Sequence, residues 1–370
     1  MSKPWNEHTT NLTDEKLKRI HELQHPMSGW IKDGTMVIPA MPQVIAKAMR
    51  IANKPETTVA ELEALIGQDQ SVAARLMQIA NSVFYSRTTE AKSIKDAIVR
   101  IGQVELKNTL YSLFVQTRLF TSEMYGELIR SLWLHSLGVA EISRRLALPL
   151  GIDYDVAFLG GLLHDVGKAA LLGTMKDEIE DKSYYAADVV EEAMEPIHEL
   201  AGGMLLKSWK LPDEITRAII SHHHLERAGD HKRLAMLIHM ADIMAFRIGI
   251  GVDTENKARQ ESTESGVAPL FIRHLLASAI NLEEYSVRRE LGLDMEVIKE
   301  IEQDSDELRD DIFNIVLGGQ KPADAKSRIE IKDAIRPDAH VSSGSSKMFI
   351  WFAIALAVSL SGIAAYIFLK

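Results

Sequence analysis

The residues best placed for chemistry in this chain are histidines and aspartates set in apolar segments. His164 and Asp165 are adjacent in GLLHDVGK, behind Leu159, Leu162 and Leu163; His135 lies in SLWLHS, His198 in PIHELAGG, His222 and His223 in ISHHH, and Asp242 in MADIMA. An ionisable group among apolar neighbours is costly unless it is paired, hydrogen-bonded or metal-bound. Asp242 poses this most sharply, between Leu237, Ile238, Met240 and Ala241 on one side and Ile243 and Met244 on the other. An imidazole and a carboxylate on one helical turn can reach the same ion, and a chain without cysteine would offer it nitrogen and oxygen only. Such a shell suits manganese, iron, zinc or a similar divalent ion. A lone His-Asp pair is more often a helix surface or an internal hydrogen bond. The further candidates, on separate helices, shift the balance toward one or two bound ions.

Helical periodicity recurs along the chain and strand alternation is scarce, which predicts an all-α protein. Thr58 to Glu61 reads as a capping box before a helix whose Leu62, Leu65 and Ile66 share a face, with a second helix from about Ser71. Ser93 opens SIKDAIVRIG, where Ile94, Ala97, Ile98 and Ile101 form one stripe and Gly102 ends it. These signals divide the chain into an N-terminal extension (1–35), a first helical unit (36–125), a second (126–250) and further helices (251–317). The last part begins with a polar loop, GVDTENKARQESTESG. It continues in a stretch capped by Asp294 and carrying Ile298, Ile301, Leu308, Ile312 and Ile315 at helical spacing. Trp133 and Trp209, beside candidate ligands, read as core aromatics.

A chain of 370 residues has room for two compact units with appendages. With 46% hydrophobic and 25% charged residues, most of it should fold. A formal charge of −10 argues against nucleic acid as a partner, because phosphate binding needs clustered Lys and Arg. The start, MSKPWNEHTT, has no apolar run resembling a secretory signal. Residues 348–369, MFIWFAIALAVSLSGIAAYIFL, are uncharged and long enough to cross a hydrocarbon core of about 30 Å, and are read as one C-terminal transmembrane helix. A polar tether, 318–347, precedes it with Lys321, Lys326, Arg328, Lys332, Arg336 and Lys347, whereas only Lys370 follows. This bias predicts a single-pass membrane protein with its folded body in the cytoplasm. Ser359, Ser361 and Gly362 would let two such helices approach in a homodimer.

The set His135, His164 with Asp165, and Asp242 resembles the four-ligand metal signature of the HD superfamily of phosphohydrolases. His198 and the His222 and His223 pair are similar to the extra ligands of its two-metal members, although His224 leaves open which two of the three histidines correspond. Lys168 matches the lysine of the HDxGK signature, which implies a place near substrate phosphate; a lysine at a helix end is the other reading. Upstream, IPAMPQVIAKAMRIA, LIGQDQSVAARLMQIANSVFYS with Asn81 and Ser82, and SIKDAIVRIGQVELKN resemble HDOD domains, and LLKSWKLPDEITRAIISHHH and LAMLIHMADIMA continue the likeness over about residues 36–315. The resemblance implies an N-terminal helical subdomain packed on an HD-like helical subdomain. It also implies a bacterial signalling or regulatory module, a class in which the metal signature is commonly degraded. Here nearly every ligand position is occupied. The GYP motif of cyclic-di-GMP phosphodiesterases is replaced by RAGDHKRLA, so that activity is not implied. Two functions stay open. One is a membrane-held signal-transduction protein binding a protein partner or a nucleotide. The other is a metal-dependent phosphohydrolase of nucleotides or cyclic nucleotides, with Asp165 and Lys168 as catalytic groups.

Overall fold

The computed structural model describes residues 6–316 except 42, 53, 55, 82–84, 86–89, 120–124, 180–184 and 251–283. Every regular element among the described residues is helical, in line with the periodicity. In the first unit, α1 (Asn6–Asp33) is followed by α2 (Gln43–Ala52), α3 (Val59–Ile66), α4 (Gln70–Ala80), α5 (Ile94–Ile101) and α6 (Gln103–Arg118). The capping box at α3 is present: Thr58 Oγ1 accepts from the Glu61 amide at 3.3 Å, and Glu61 accepts from the Thr58 amide at 2.8 Å. Leu62 and Ile66 are buried behind it. The start of α4 is fixed by Asp69, whose Oδ1 accepts from the amides of Ser71 and Val72. Ser93 and Asp96 form a second reciprocal cap at α5. Asn81 ends α4 and exchanges two hydrogen bonds with the Ala91 backbone, at 3.0 and 2.8 Å, while accepting from Arg100.

The segment expected to be an N-terminal extension forms a helix of 28 residues, α1. Ile20, Leu23, Met27 and Trp30 are buried on one stripe, the spacing of an amphipathic helix. It packs on α10 (Ala187–Met194), and Lys16 pairs with Asp188 and Glu192 at 2.7 and 2.6 Å.

The second unit comprises α7 (Gly126–Leu150), α8 (Tyr154–Leu163), α9 (Val166–Glu178), α10, α11 (His198–Ser208), α12 (Asp213–Ile219) and α13 (Lys232–Arg247). Gly151, in the left-handed region with φ 64°, closes α7, and Asp153 caps α8 two residues later. That short turn folds α8 back along α7. His164 and Asp165 therefore stand at the junction between α8 and α9, not on one continuous helix as their adjacency suggests. Two glycines set how closely the layers approach. A Cβ on Gly161 would lie 2.7 Å from the Val139 carbonyl of α7, and one on Gly167 would lie 2.0 Å from the His198 carbonyl of α11. Both distances are below any real carbon contact, so these backbones meet only because the side chain is absent.

The two units share one continuous hydrophobic core. Trp209 donates to the Pro39 carbonyl at 2.9 Å and packs edge-on against Phe114, and Asn108 donates to Asp155 at 2.7 Å. Asp294 caps a helix as expected, but the following run is split at Asp304 into Met295–Gln303 and Ser305–Val316. Ile298, Ile301, Leu308 and Ile312 are buried.

The stretch Tyr154–Lys176, spanning α8 and α9, is apolar and long enough to cross a membrane, but 89% of its most apolar window is buried inside the fold. It lies in mid-chain and serves as core. The expected polar loop from residue 251, the tether 318–347, the span 348–369, Ser82 and the Ile315 side chain fall outside the described residues.

Gly167→Ala and Gly161→Ala should each lower stability by about 3 kcal/mol or more, because overpacking against backbone has no rotamer escape. Gly173→Ala in α9, where a Cβ meets nothing within 4 Å, should be neutral or stabilising by up to about 1 kcal/mol. Urea denaturation of the three variants separates these outcomes.

Candidate metal centre

Each candidate side chain is aimed by the end of an element or the wall of another. His135 projects from the middle of α7, His198 is the first residue of α11, His222 and His223 follow α12 in a turn, and Asp242 projects from α13. His135, His164, Asp165, His198, His222 and Asp242 are all buried. The structure brings the predicted set together: His135, His164 and Asp242 form one group, His198, His222 and His223 another, and His164, Asp165 and His222 a third that joins them. Within each group the ligand atoms lie within 4.8 Å of one another. His224 turns away, with Nδ1 2.8 Å from Glu199 Oε2, so the pair at the cluster is His222 and His223.

The hydrogen bonds around the cluster fix how its rings present themselves. Nδ1 of His135 faces the Ile250 carbonyl at 2.8 Å, that of His164 the Gly161 carbonyl at 2.8 Å, that of His198 the Glu195 carbonyl at 2.6 Å, and that of His222 the Ile219 carbonyl at 2.7 Å. A carbonyl only accepts, so Nδ1 carries the hydrogen in each ring and the neutral imidazole offers a bare Nε2 lone pair. This is the tautomer that metal-ligating histidines use, with the remote nitrogen anchored to the protein.

Those lone pairs and the carboxylates face each other across short gaps. His135 Nε2 lies 3.0 Å and His164 Nε2 3.8 Å from Asp242 Oδ1. Asp165 lies between the two groups, with Oδ2 3.5 Å from His164 Nε2 and Oδ1 3.3 Å from His198 Nε2. His198 Nε2 and His222 Nε2 are 3.5 Å apart. His164 Nε2, Asp165 Oδ1 and Asp242 Oδ1 are buried without a hydrogen-bond partner. Donors sharing an ion at about 2.1 Å stand roughly 3 to 3.5 Å from one another. Buried acceptors at these separations repel unless a proton or cation lies between them, so the residues fit one or two divalent ions bound by nitrogen and oxygen.

The fixed charges agree with this. Burial pushes the Asp165 carboxyl up, but the Lys168 ammonium, then His164 and His198, outweigh it and hold the group well below the usual carboxylate range. Asp242 is likewise held down by His135 against the effect of burial. Burial lowers His164 and His222, and burial with Lys168 beside it lowers His198 to about 4. His135 is the exception: burial would lower it, but the neighbouring Asp242 raises it.

Lys168 is buried, with Nζ 2.9 Å from both Asp165 Oδ2 and Glu195 Oε2; it is not a surface lysine at a helix end. Two acidic residues at this site were not singled out in the sequence. Glu195 holds Lys168, and Glu199 accepts from the His223 amide at 2.9 Å and contacts His224, pinning the turn that presents His222 and His223. The acidic residue directly after His198 was the available signal for Glu199.

Comparisons with known proteins bear on the same residues. The HDOD domain model matches residues 38–225, a stretch that holds all the candidates except Asp242. Ribonuclease Y of Fervidobacterium nodosum is 24% identical over 273 residues, covering 73% of this chain and 46% of that protein. Ribonuclease Y of Thermotoga maritima is 26% identical over 278 residues, covering 74% and 47%. The chain spans less than half the length of these curated relatives. Among solved structures, an HDOD domain protein of unknown function from Geobacter sulfurreducens matches with a TM-score of 0.53 and 24% identity, over 80% of this chain and 98% of that one. A Shewanella amazonensis protein provisionally described as a metal-dependent phosphohydrolase matches with 0.52 and 23%, over 74% and 99%. These likenesses establish the fold.

The depressed histidines make an acid-side prediction for the metal-free protein. His198 takes up its proton near pH 6.5 in the unfolded chain but only near 4 in the fold. Its stabilising effect is therefore complete above pH 6.5 and lost as pH falls toward 4. His164 and His222 act in the same direction, whereas aspartates in the unfolded chain titrate near 3.8, below most of this window. The urea midpoint should fall between pH 6.5 and 4, and His198→Gln should flatten that slope.

Proposed function

This chain belongs to the HDOD domain family, and we propose that it is a member with a working two-ion centre for hydrolysing a phosphoester, such as a nucleotide or cyclic nucleotide. The observation behind this reading is the convergence of anchored histidine lone pairs and partnerless carboxylate oxygens in one buried cluster. His135, His164, Asp242 and one oxygen of Asp165 would hold the first ion. The other Asp165 oxygen, with His198, His222 and His223, would hold the second. Bound divalent ions of this kind lower the pKa of water and polarise a phosphoryl oxygen.

The chain's own side chains supply the rest. Asp165, placed between the two groups, is the residue on which both depend. The Lys168 ammonium keeps Asp165 ionised and adds positive charge where a phosphate would arrive. The carbonyl anchors hold the rings in the ligating tautomer without further reorganisation. The names of the relatives are consistent with phosphoester chemistry and add RNA to the substrates worth testing, against which the charge of −10 stands.

Family membership favours a second reading, a signal-transduction role in which the centre is structural and the body binds a protein partner or nucleotide. In either case residues 348–369 would anchor the chain to a membrane, with the folded body on the cytoplasmic side and homodimers forming through that helix.

The full-length chain, loaded with manganese in detergent, should cleave at least one compound from a panel of p-nitrophenyl phosphoesters, nucleotides, cyclic nucleotides and short RNA. Asp165→Asn should reduce that turnover at least about 100-fold. A fully loaded protein that hydrolyses none of them would leave the signalling reading in its place.

A further inference from the structure

The rim of the cluster carries a carboxylate, that of Glu195, which the two-ion reading does not use. Among the described residues Lys168 is the only buried lysine or arginine, and two carboxylates hold it, each at 2.9 Å. Asp165 is the inner partner, with its second oxygen turned toward His198. Glu195 is the outer one. Its side chain is 52% exposed, Oε2 lies 2.9 Å from Lys168 Nζ, and Oε1 lies 3.7 Å from His223 Nε2. His223 is itself 30% exposed, whereas the side chains of His135, His164, Asp165, His198, His222 and Asp242 are at most 9% exposed. Glu195 therefore bridges the solvent side of the site from Lys168 to His223, and an anion approaching Lys168 from that side meets its carboxylate first.

We propose that Glu195 selects the substrate class, admitting singly charged phosphodiesters in preference to doubly charged phosphomonoesters; this rests on the phosphohydrolase reading above. A diester carries one negative charge at neutral pH, and a monoester carries nearly two because its second pKa is about 6. Each charge on the incoming group meets the same repulsion from Glu195 and competes with it for the same ammonium, so the dianion is disfavoured about twice as strongly. The carboxylate is not needed to build the site. Glu195 contributes to the ligand geometry through its main-chain carbonyl, which accepts from His198 Nδ1, and glutamine preserves that carbonyl, the side-chain shape and a contact to Lys168 while removing the charge.

The test compares full-length wild type and Glu195→Gln, both manganese-loaded, with metal content measured on each. Inorganic phosphate is titrated calorimetrically at pH 8. Bis(p-nitrophenyl) phosphate and p-nitrophenyl phosphate serve as diester and monoester. Glu195→Gln should bind phosphate about fivefold more tightly, the scale of one partly exposed charge interaction. The ratio of kcat/KM for diester over monoester should fall by a similar factor. Equal phosphate affinity in the two proteins, including no binding by either, overturns the inference. Wild type that holds metal and cleaves the diester while the variant binds phosphate unchanged removes the role of Glu195 and leaves the phosphohydrolase reading intact. Wild type without metal or hydrolysis removes that reading, and the phosphate comparison still decides whether Glu195 shields Lys168.

Discussion

Lone pairs that face one another in a dry interior need positive charge between them. Bare imidazole nitrogens and unpartnered aspartate oxygens a few ångströms apart are not a stable core by themselves, since removing the partner of a buried charge typically costs about 3–5 kcal/mol. The carbonyls that anchor Nδ1 lie at helix ends, at the α8 to α9 junction and beside α13, where backbone acceptors are not used up inside a helix. Gly161 and Gly167 let α7, α8, α9 and α11 approach until these rings share one space. Helix lengths, caps and close contacts all bear on where those nitrogens point.

Much of the frame is written in local pattern. The reciprocal caps at Thr58 and Ser93, the cap at Asp294 and the stripe through Ile98 and Ile101 depend only on residues within a turn or two, and are legible for that reason. The helix at Asn6–Asp33 carries an equally regular stripe at Ile20, Leu23, Met27 and Trp30, but its partner α10 lies far along the chain, and the segment reads as an extension until the two meet. The continuous run after Asp294 hides the break at Asp304, where nothing in the apolar spacing changes.

The site divides in the same way. Residue types and apolar surroundings identify His135, His164, Asp165, His198 and Asp242 as a set, and the resemblance to the HD superfamily of phosphohydrolases supplies their likeness to metal ligands. Spacing could not tell which of His222, His223 and His224 turn inward, because that depends on Glu199 gripping the amide and ring of neighbouring residues from α11. Nor could it foresee that Lys168 is buried between two carboxylates, since Glu195 is 27 positions away in the chain and reaches it only after α9 and α10 have folded back.

Family membership and site geometry pull toward different functions, a signalling module on one side and a hydrolytic centre on the other, and both turn on whether the cluster is occupied. The most direct measurement is the number of metal ions per chain in the full-length protein purified without chelator or affinity histidines, by inductively coupled plasma mass spectrometry. The two-group geometry predicts close to two ions per chain in wild type, with a large loss in His164→Ala. A folded wild-type protein carrying no stoichiometric metal, even after incubation with manganese, iron or zinc, would contradict it.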